Sequence, residues 1–314
     1  MDTASAWAVV TRRPPGGWRV AAILLVAAAA GFSCATAPCP TCGDGGGPPP
    51  GGTAVLVGAG DIAVCDPSGA SAGTVATARM LDGLSGTVFT AGDNAYFTGS
   101  AAEYRNCYDP SWGRHKGRTW PVPGNHEYET PGASGYYGYF GDAAGSNGLG
   151  YYRRTLGSWT FVGLNSEIDA RATSVQVQWL RSELAAHPTA CTIAIWHRPL
   201  FSSGLHGNNP DMRDLWQALY DLNVDVVVNG HDHMYERFDP QDSNGNSDPR
   251  GIQQFTVGTG GASLYVPLII KRNSQVRISY WGVAVFTLLE GGYAWEFKPI
   301  DSGGGTDSGS AQCH

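Results

Sequence analysis

Five apolar runs, each ending in a residue type that binds metal ions, constrain this chain more than any other feature. They are "TAVLVGAGD" (53–61), "TVFTAGDN" (87–94), "TWPVPGNHE" (119–127), "CTIAIWH" (191–197) and "VDVVVNGH" (224–231). Short runs rich in Val, Ile, Thr and Phe, closed by Gly, Asn or Asp, read as strands. Asp61, Asp93, Asn125, His197 and His231 lie at or just beyond their C-terminal ends. In open α/β sheets, ligands bind outside the carboxyl ends of the strands. Five strands thus aim ligating side chains at one edge.

The last run continues as "NGHDHMYER" (229–237). In an extended segment, positions i and i+2 point the same way. His231 and His233 can therefore reach one small object together. Between the strands, "SAGTVATARMLDGL" (71–84) and "MRDLWQALYDL" (212–222) read as helices, and "SVQVQWLRSELAAH" (174–187) has helical spacing in Val177, Leu180 and Leu184. "YYRRTLGSWTFVGLNS" (151–166) reads as a hairpin turning at Gly157-Ser158. "IQQFTVGTGG" (252–261), "VRISYWGVAVFTLLE" (276–290) and "YAWEFKPI" (293–300) close the body in β. Strands alternating with helices, then a β-rich end, predict an α/β fold: a layered sandwich of two mixed β-sheets flanked by helices.

The ends read differently from this body. Arg12, Arg13 and Arg19 precede "VAAILLVAAAAGF" (20–32), a charged segment followed by an apolar one too short to span a bilayer comfortably. Residues 1–33 are expected to be a signal peptide, so the protein is expected to be exported: secreted, periplasmic or at the cell surface. "TRRPP" (11–15), a lipidated Cys34 and cleavage after "ATA" (35–37) are competing exit routes. Residues 34–52 hold "PCPTCGDGGGPPPGG", a Gly/Pro-rich tether, and residues 302–314 read as a polar tail. The net charge is −7; without residues 1–33, which hold three arginines and one aspartate, it is −9. An acidic body argues against nucleic acid as a dedicated partner. No second long apolar segment follows, so no transmembrane span is expected in the mature body. The oligomeric state is left open.

The motifs "GD" (60–61), "GDNAY" (92–96), "GNHE" (124–127), "WH" (196–197) and "GHDH" (230–233) occur in the order of the calcineurin-like metallophosphoesterases, which the chain resembles over residues 53–300. Asp-x-x-Tyr at 93–96 and "GHDHMYER" resemble the purple acid phosphatase branch. The resemblance implies a catalytic domain over 53–301 with the metallophosphoesterase fold. It also implies two metal ions per chain. Asp61, Asp93, Tyr96 and His233 would hold the first; Asp93, Asn125, His197 and His231 would hold the second, with Asp93 as the bridge. Carboxylate and phenolate are hard ligands suited to Fe(III), and imidazole with an amide oxygen suits a divalent Fe, Zn or Mn. Ala63 stands where many superfamily members carry a first-motif histidine, and Tyr96 would substitute for it. Glycine before Asp93, Asn125 and His231 is expected to allow tight turns. Plant relatives carry an N-terminal β-sandwich domain; only the tether precedes residue 53, so none is expected here.

Two histidines remain as catalytic candidates. His126 resembles the substrate-facing histidine of the family, and His206, in "SSGLHGNN" (202–209), a second phosphate-contacting one. His115 and His187 belong to no motif and read as surface. The expected activity is hydrolysis of phosphate monoesters by attack of a metal-bound hydroxide. A phosphodiesterase acting on nucleotides or lipid headgroups is the rival within the fold. A non-catalytic, metal-dependent surface binding protein is the rival of another class. "DSNGNSD" (242–248) reads as a turn-rich loop rather than a calcium loop, because position twelve is Gln253. "VGTGG" (257–261) lacks the spacing of a nucleotide cradle. Of seven cysteines, Cys65 and Cys107 follow the first two motifs and are expected to pair. Cys39 and Cys42 suit a local disulfide or free thiols; Cys191 and Cys313 remain as a further pair.

Overall fold

The computed structural model describes residues 52–314. The expected signal peptide, nearly all of the tether, Cys34, Cys39 and Cys42 lie outside the described residues.

Two mixed sheets face each other. The first runs Asp307–Gln312, Gly292–Pro299, Gly282–Leu289, Ala54–Ala59, Thr87–Ala91, Thr119–Val122. Its last three strands are parallel, and the first three pair antiparallel. The second runs Ser274–Ile278, Tyr235–Phe238, Gln253–Val257, Val226–Asn229, Cys191–Ile195, Trp159–Gly163, Tyr152–Leu156. Four consecutive strands in it, from Gln253–Val257 to Trp159–Gly163, are parallel. A small third sheet joins Gly69–Ala70, Ala63–Asp66 and Ala95–Tyr96 beside the site.

Strand alternation builds both cores. Ile193, Ile195, Val226, Val228 and Phe161 point between the sheets, where they meet Leu56, Phe89 and Phe286. Their neighbours Ala194, Val227 and Val162 point to the other face, onto Leu180, Leu215, Trp216 and Leu219 of two helices. A strand buried on both faces reads as a continuous apolar run, as these do. The three longest helices among the described residues are Ala72–Asp82, Val175–Ala186 and Arg213–Asp221, close to the ranges expected. Ser71 and Ser174 cap the first two by accepting from the amides of Thr74 and Val177.

Two β segments depart from the sequence reading. Residues 276–290 are two strands in different sheets: Ser274–Ile278 pairs with Tyr235–Phe238, and Gly282–Leu289 crosses to pair with Ala54–Ala59. The Trp281 indole anchors the crossing by donating to the Ala262 carbonyl at 2.7 Å. The expected polar tail contains an edge strand, Asp307–Gln312, paired with Gly292–Pro299. Only Asp307 in it is buried. Its carboxylate accepts from Tyr235 and Arg237 at 2.7 Å and from the Trp295 indole at 3.0 Å.

Two disulfides are present, Cys65–Cys107 and Cys191–Cys313. The first ties the strand after Asp61 to the helix Tyr104–Tyr108 that follows Tyr96, the pairing expected. The second fastens the C-terminal strand to the start of a central one. Their sequence separations are 42 and 122. A longer closed loop removes more entropy from the unfolded chain, about 4 kcal/mol for the first and about 5 kcal/mol for the second in the chain-entropy picture. Cys191→Ser is therefore expected to cost about 2–5 kcal/mol in chemical denaturation, and at least as much as Cys65→Ser. Non-reducing peptide mapping that returned free thiols at all four positions would refute both bonds.

Candidate metal centre

The carboxyl ends of the parallel strands meet across the two layers. Strands Ala54–Ala59, Thr87–Ala91 and Thr119–Val122 lead into Asp61, Asp93 and Asn125. Strands Cys191–Ile195 and Val226–Asn229 lead into His197, His231 and His233. Asp61, Asp93, Tyr96, His197, His231 and His233 are buried, and Asn125 is half-buried.

The donor atoms converge as two groups. In one, the Tyr96 hydroxyl donates to Asp61 Oδ1 at 2.8 Å and to Asp93 Oδ2 at 3.1 Å, with His233 Nε2 3.2 Å from both the Tyr96 oxygen and Asp61 Oδ1. In the other, His197 Nε2 lies 3.1 Å from Asp93 Oδ2, 3.2 Å from Asn125 Oδ1 and 3.2 Å from His231 Nδ1. One atom, Asp93 Oδ2, belongs to both groups.

Backbone contacts set which nitrogens face inward. His197 Nδ1 donates to the Ala91 carbonyl at 2.8 Å, and His233 Nδ1 to the Ser263 carbonyl at 2.6 Å. A carbonyl only accepts, so in both rings Nδ1 carries hydrogen and Nε2 is the nitrogen that faces the cluster, where its lone pair becomes available once a cation takes the place of the proton. Histidines that ligate metals are oriented in this way. Asp61, Asp93 and His231 have φ of 59°, 48° and 71°. They are half of the six non-glycine residues with positive φ among the described residues, so backbone strain collects here, as it does at functional sites. Gly92 has φ 82°, as a tight turn requires. At Gly124 and Gly230 the reason for glycine is close approach instead. A Cβ at Gly124 would strike the Asp93 carboxylate, and one at Gly230 would meet the Ala91 carbonyl and the Asp61 carboxylate.

The electrostatics suit a cation. Burial alone would lower the His197 imidazole, but the adjoining Asp93 carboxylate outweighs it and raises the group to about 10. Burial, with the Asp61 and Asp93 charges, drives the Tyr96 phenol well above its ordinary value. Two buried carboxylates, a phenol and three imidazoles within 3.2 Å contacts form a donor set whose negative charge a bound cation would offset.

His126 and His206 border this cluster. His126 Nδ1 donates to the Phe97 carbonyl at 2.6 Å, and its Nε2 lies 3.8 Å from Asp93 Oδ2. His206 stacks on the His231 ring, centroids 4.1 Å apart. A cavity of about 570 Å³ opens beside His206 and His231, walled also by Arg198, Glu167, Asp169 and Asn208.

Three further residues had no role in the sequence reading. Buried Glu127 accepts from the amides of Asn94 and Gly124 at 2.8 and 2.7 Å and from the Tyr104 hydroxyl at 3.1 Å, so it locks two ligand loops together. Burial, then the Asp93 charge, pushes its carboxyl up to about 8. Asp232 accepts from the Ser202 hydroxyl and from the His206 amide, the latter at 2.9 Å, and so fixes the loop that carries His206. Arg198 spans Glu167 and His231, with 3.0 and 3.2 Å contacts. Glu127 and Asp232 stand inside quoted motifs, which was the available signal. "VGTGG" is a packing device: a Cβ at Gly258 would strike the Asp232 backbone, and one at Gly260 the Gly60 carbonyl.

Two mixed sheets thus bring two donor sets of oxygen and imidazole, joined at Asp93 Oδ2, to the carboxyl ends of their parallel strands. The family model for calcineurin-like phosphoesterases matches residues 75–235. The chain belongs to the calcineurin-like phosphoesterase family. Its similarity to Purple acid phosphatase 23 of Arabidopsis thaliana is 32% identity over 183 residues, 51% of this chain and 40% of that protein. An uncharacterized protein of Mycobacterium tuberculosis, Rv2577, is 31% identical over 151 residues, 39% of this chain and 28% of that one. The fold is shared with a purple acid phosphatase from yellow lupin seeds, at a TM-score of 0.68 and 22% identity, over 83% of this chain and 54% of that one. The chain thus spans well under two thirds of the length of the curated relatives it matches.

Proposed function

We propose that this chain is an exported, dinuclear-metal phosphomonoesterase of the purple acid phosphatase type. The observation that carries the reading is Asp93 Oδ2, 3.1 Å from both the Tyr96 oxygen and His197 Nε2, at the junction of two donor sets. Asp61, Asp93, Tyr96 and His233 would hold one ion; Asp93, Asn125, His197 and His231 would hold the other. When bound there, a metal pair would supply Lewis acidity and bring the pKa of water down to about 7.

The protein's own groups do the rest. Two carboxylates and a phenolate leave a metal pair with net positive charge, so an anionic ester is attracted despite the acidic body. His126, its Nδ1–H fixed on the Phe97 carbonyl, holds a proton at Nε2 for the leaving oxygen. His206, placed by Asp232, contacts the phosphate oxygens. The cavity beside His206 takes the alcohol. Two disulfides suit an oxidising compartment outside the cytosol, in line with export. No helix among the described residues is long and apolar enough to cross a membrane.

Metal-replete protein should hydrolyse an aryl phosphate faster than a bis-aryl phosphate. The reverse order would assign a phosphodiesterase, and no turnover of either would favour a non-catalytic binding protein. Elemental analysis of natively purified protein should give two metals per chain.

Tyr96 selects Fe(III) for its site, because a phenolate is a hard anion. Iron-loaded protein is expected to be coloured by phenolate-to-Fe(III) charge transfer, and Tyr96→Phe to be bleached. Phe keeps the ring against His126, 4.4 Å between centroids, and removes the oxygen that reaches Asp61 and Asp93. Activity should fall less than on loss of the bridge. An unchanged visible spectrum and iron content in Tyr96→Phe would leave Tyr96 an ordinary buried tyrosine.

A further inference from the structure

Four large aliphatic side chains stand exposed in one short stretch: Val266 at 64%, Leu268 at 58%, Ile269 at 69% and Ile270 at 53%. Ile, Val and Leu are normally among the most buried residues, and a contiguous exposed apolar patch marks an interaction site. This segment is pinned to the body. The Tyr265 amide donates to the His233 carbonyl at 2.8 Å, and its ring stacks on His233, centroids 4.1 Å apart and planes within 9°. The amides of Leu268 and Lys271 donate to the carbonyl and hydroxyl of Ser203 at 2.8 and 2.9 Å. Ser203 in turn donates its amide to buried Glu236 at 2.9 Å. The backbone is therefore held while the aliphatic side chains are presented to solvent.

The position is as telling as the exposure. The ridge is rooted on His233 and on the 202–206 loop that carries His206. Phe97 and Leu205, next in sequence to Tyr96 and His206, are exposed by 61% and 54%. Apolar exposure thus gathers around the mouth of the metal centre. Lys271 and Arg272 follow the ridge directly, and neither has an ion-pair partner among the described residues of this acidic chain.

We propose that the 265–272 ridge docks the mouth of the site on an anionic lipid bilayer. Aliphatic side chains followed at once by basic ones match an apolar interior under a negatively charged interface. A second copy of this chain fits less well. A symmetric contact through the ridge would set Lys271 and Arg272 near their own copies, like charge against like. Docking in this orientation turns the His233 side of the site toward the lipid surface. That the ester is then drawn from that surface rests on the phosphatase reading; the docking does not.

The test uses the full chain and vesicles of phosphatidylcholine with or without phosphatidylglycerol, whose headgroup is a diester. Hydrogen exchange should show the amides of Val266, Ile269, Ile270 and Arg272 slowed about tenfold or more by the anionic vesicles, with excess inorganic phosphate making no difference. Ile269→Ser/Ile270→Ser should weaken vesicle partition about tenfold or more, because two aliphatic side chains no longer leave water. Lys271→Ala and Arg272→Ala should each weaken it roughly fivefold, on anionic vesicles only. Val175→Ser, at an equally exposed aliphatic on a helix, should change nothing. Unchanged exchange at Val266, Ile269, Ile270 and Arg272, or unchanged partition of the double serine variant, would overturn the proposal. Protection that grows with protein concentration and without vesicles would overturn it too, and would make the ridge an interface between copies. None of these readouts needs hydrolysis, so their failure is separate from failure of the phosphatase reading.

Discussion

Asp93→Asn is expected to lose at least one metal per chain and to lower kcat/KM by roughly 10³-fold or more, because one oxygen serves both halves of the centre. Asp93 Oδ2 is 3.1 Å from the Tyr96 oxygen and 3.1 Å from His197 Nε2, and its other oxygen accepts from the His126 amide at 2.9 Å. An amide keeps the shape and loses the negative charge that would hold two cations together. The folded state should survive, since the Asp93 loop is also fixed by Glu127 through the Asn94 amide. Elemental analysis and circular dichroism of the variant separate loss of metal from loss of fold. A folded variant that keeps two metals and near-normal turnover would sink the assignment. Substituting Asn125 or His231 should empty mainly the second site, which is the distinction between a bridging ligand and a terminal one.

His126→Ala is expected to keep both metals and to slow hydrolysis about 10²–10⁴-fold. Its ring is 29% exposed, beside the cluster rather than within it, with Nε2 3.8 Å from Asp93 Oδ2. The loss should shrink as the leaving group improves, since a good leaving group needs no proton. A loss of the same size across a series of aryl phosphates would leave His126 only a role in binding phosphate. The Tyr96 ring that packs on it is held independently by its bonds to Asp61 and Asp93, so the cluster should remain in place.

Much of the scaffold was legible because burial on a strand or helix is periodic along the chain. "CTIAIWH" and "VDVVVNGH" are buried on both faces, and the expected strands appear as Cys191–Ile195 and Val226–Asn229. Ser71 and Ser174, at which two of the expected helical segments begin, cap those helices in the structure through a local bond to the backbone. Where pairing rather than burial creates the strand, no such signal exists. Asp307–Gln312 is polar and mostly exposed, and it is a strand because Gly292–Pro299 offers it an edge and Cys313 is tied to Cys191. The break at residues 279–281 was hidden for a related reason. Both flanking segments suit β equally, and only the sheets they join tell them apart.

At the site, the sequence supplied the chemistry of the donors: aspartates, a tyrosine, an asparagine and histidines, each following a strand. Residue type and strand-end position are local properties, so a single chain carries them openly. The distances that make Asp93 Oδ2 common to both groups, the carbonyls that set the His197 and His233 tautomers, and the Glu127 and Asp232 bonds that hold the loops are through-space relations. Apart from the Asp93–Tyr96 contact, they join residues from 26 to 106 positions apart, which local periodicity does not encode. The ridge at 265–270 shows the same division. As sequence, "YVPLII" is an apolar run of the kind that fills cores; packing of the two sheets leaves it outside, and that exposure gives it a different physical meaning.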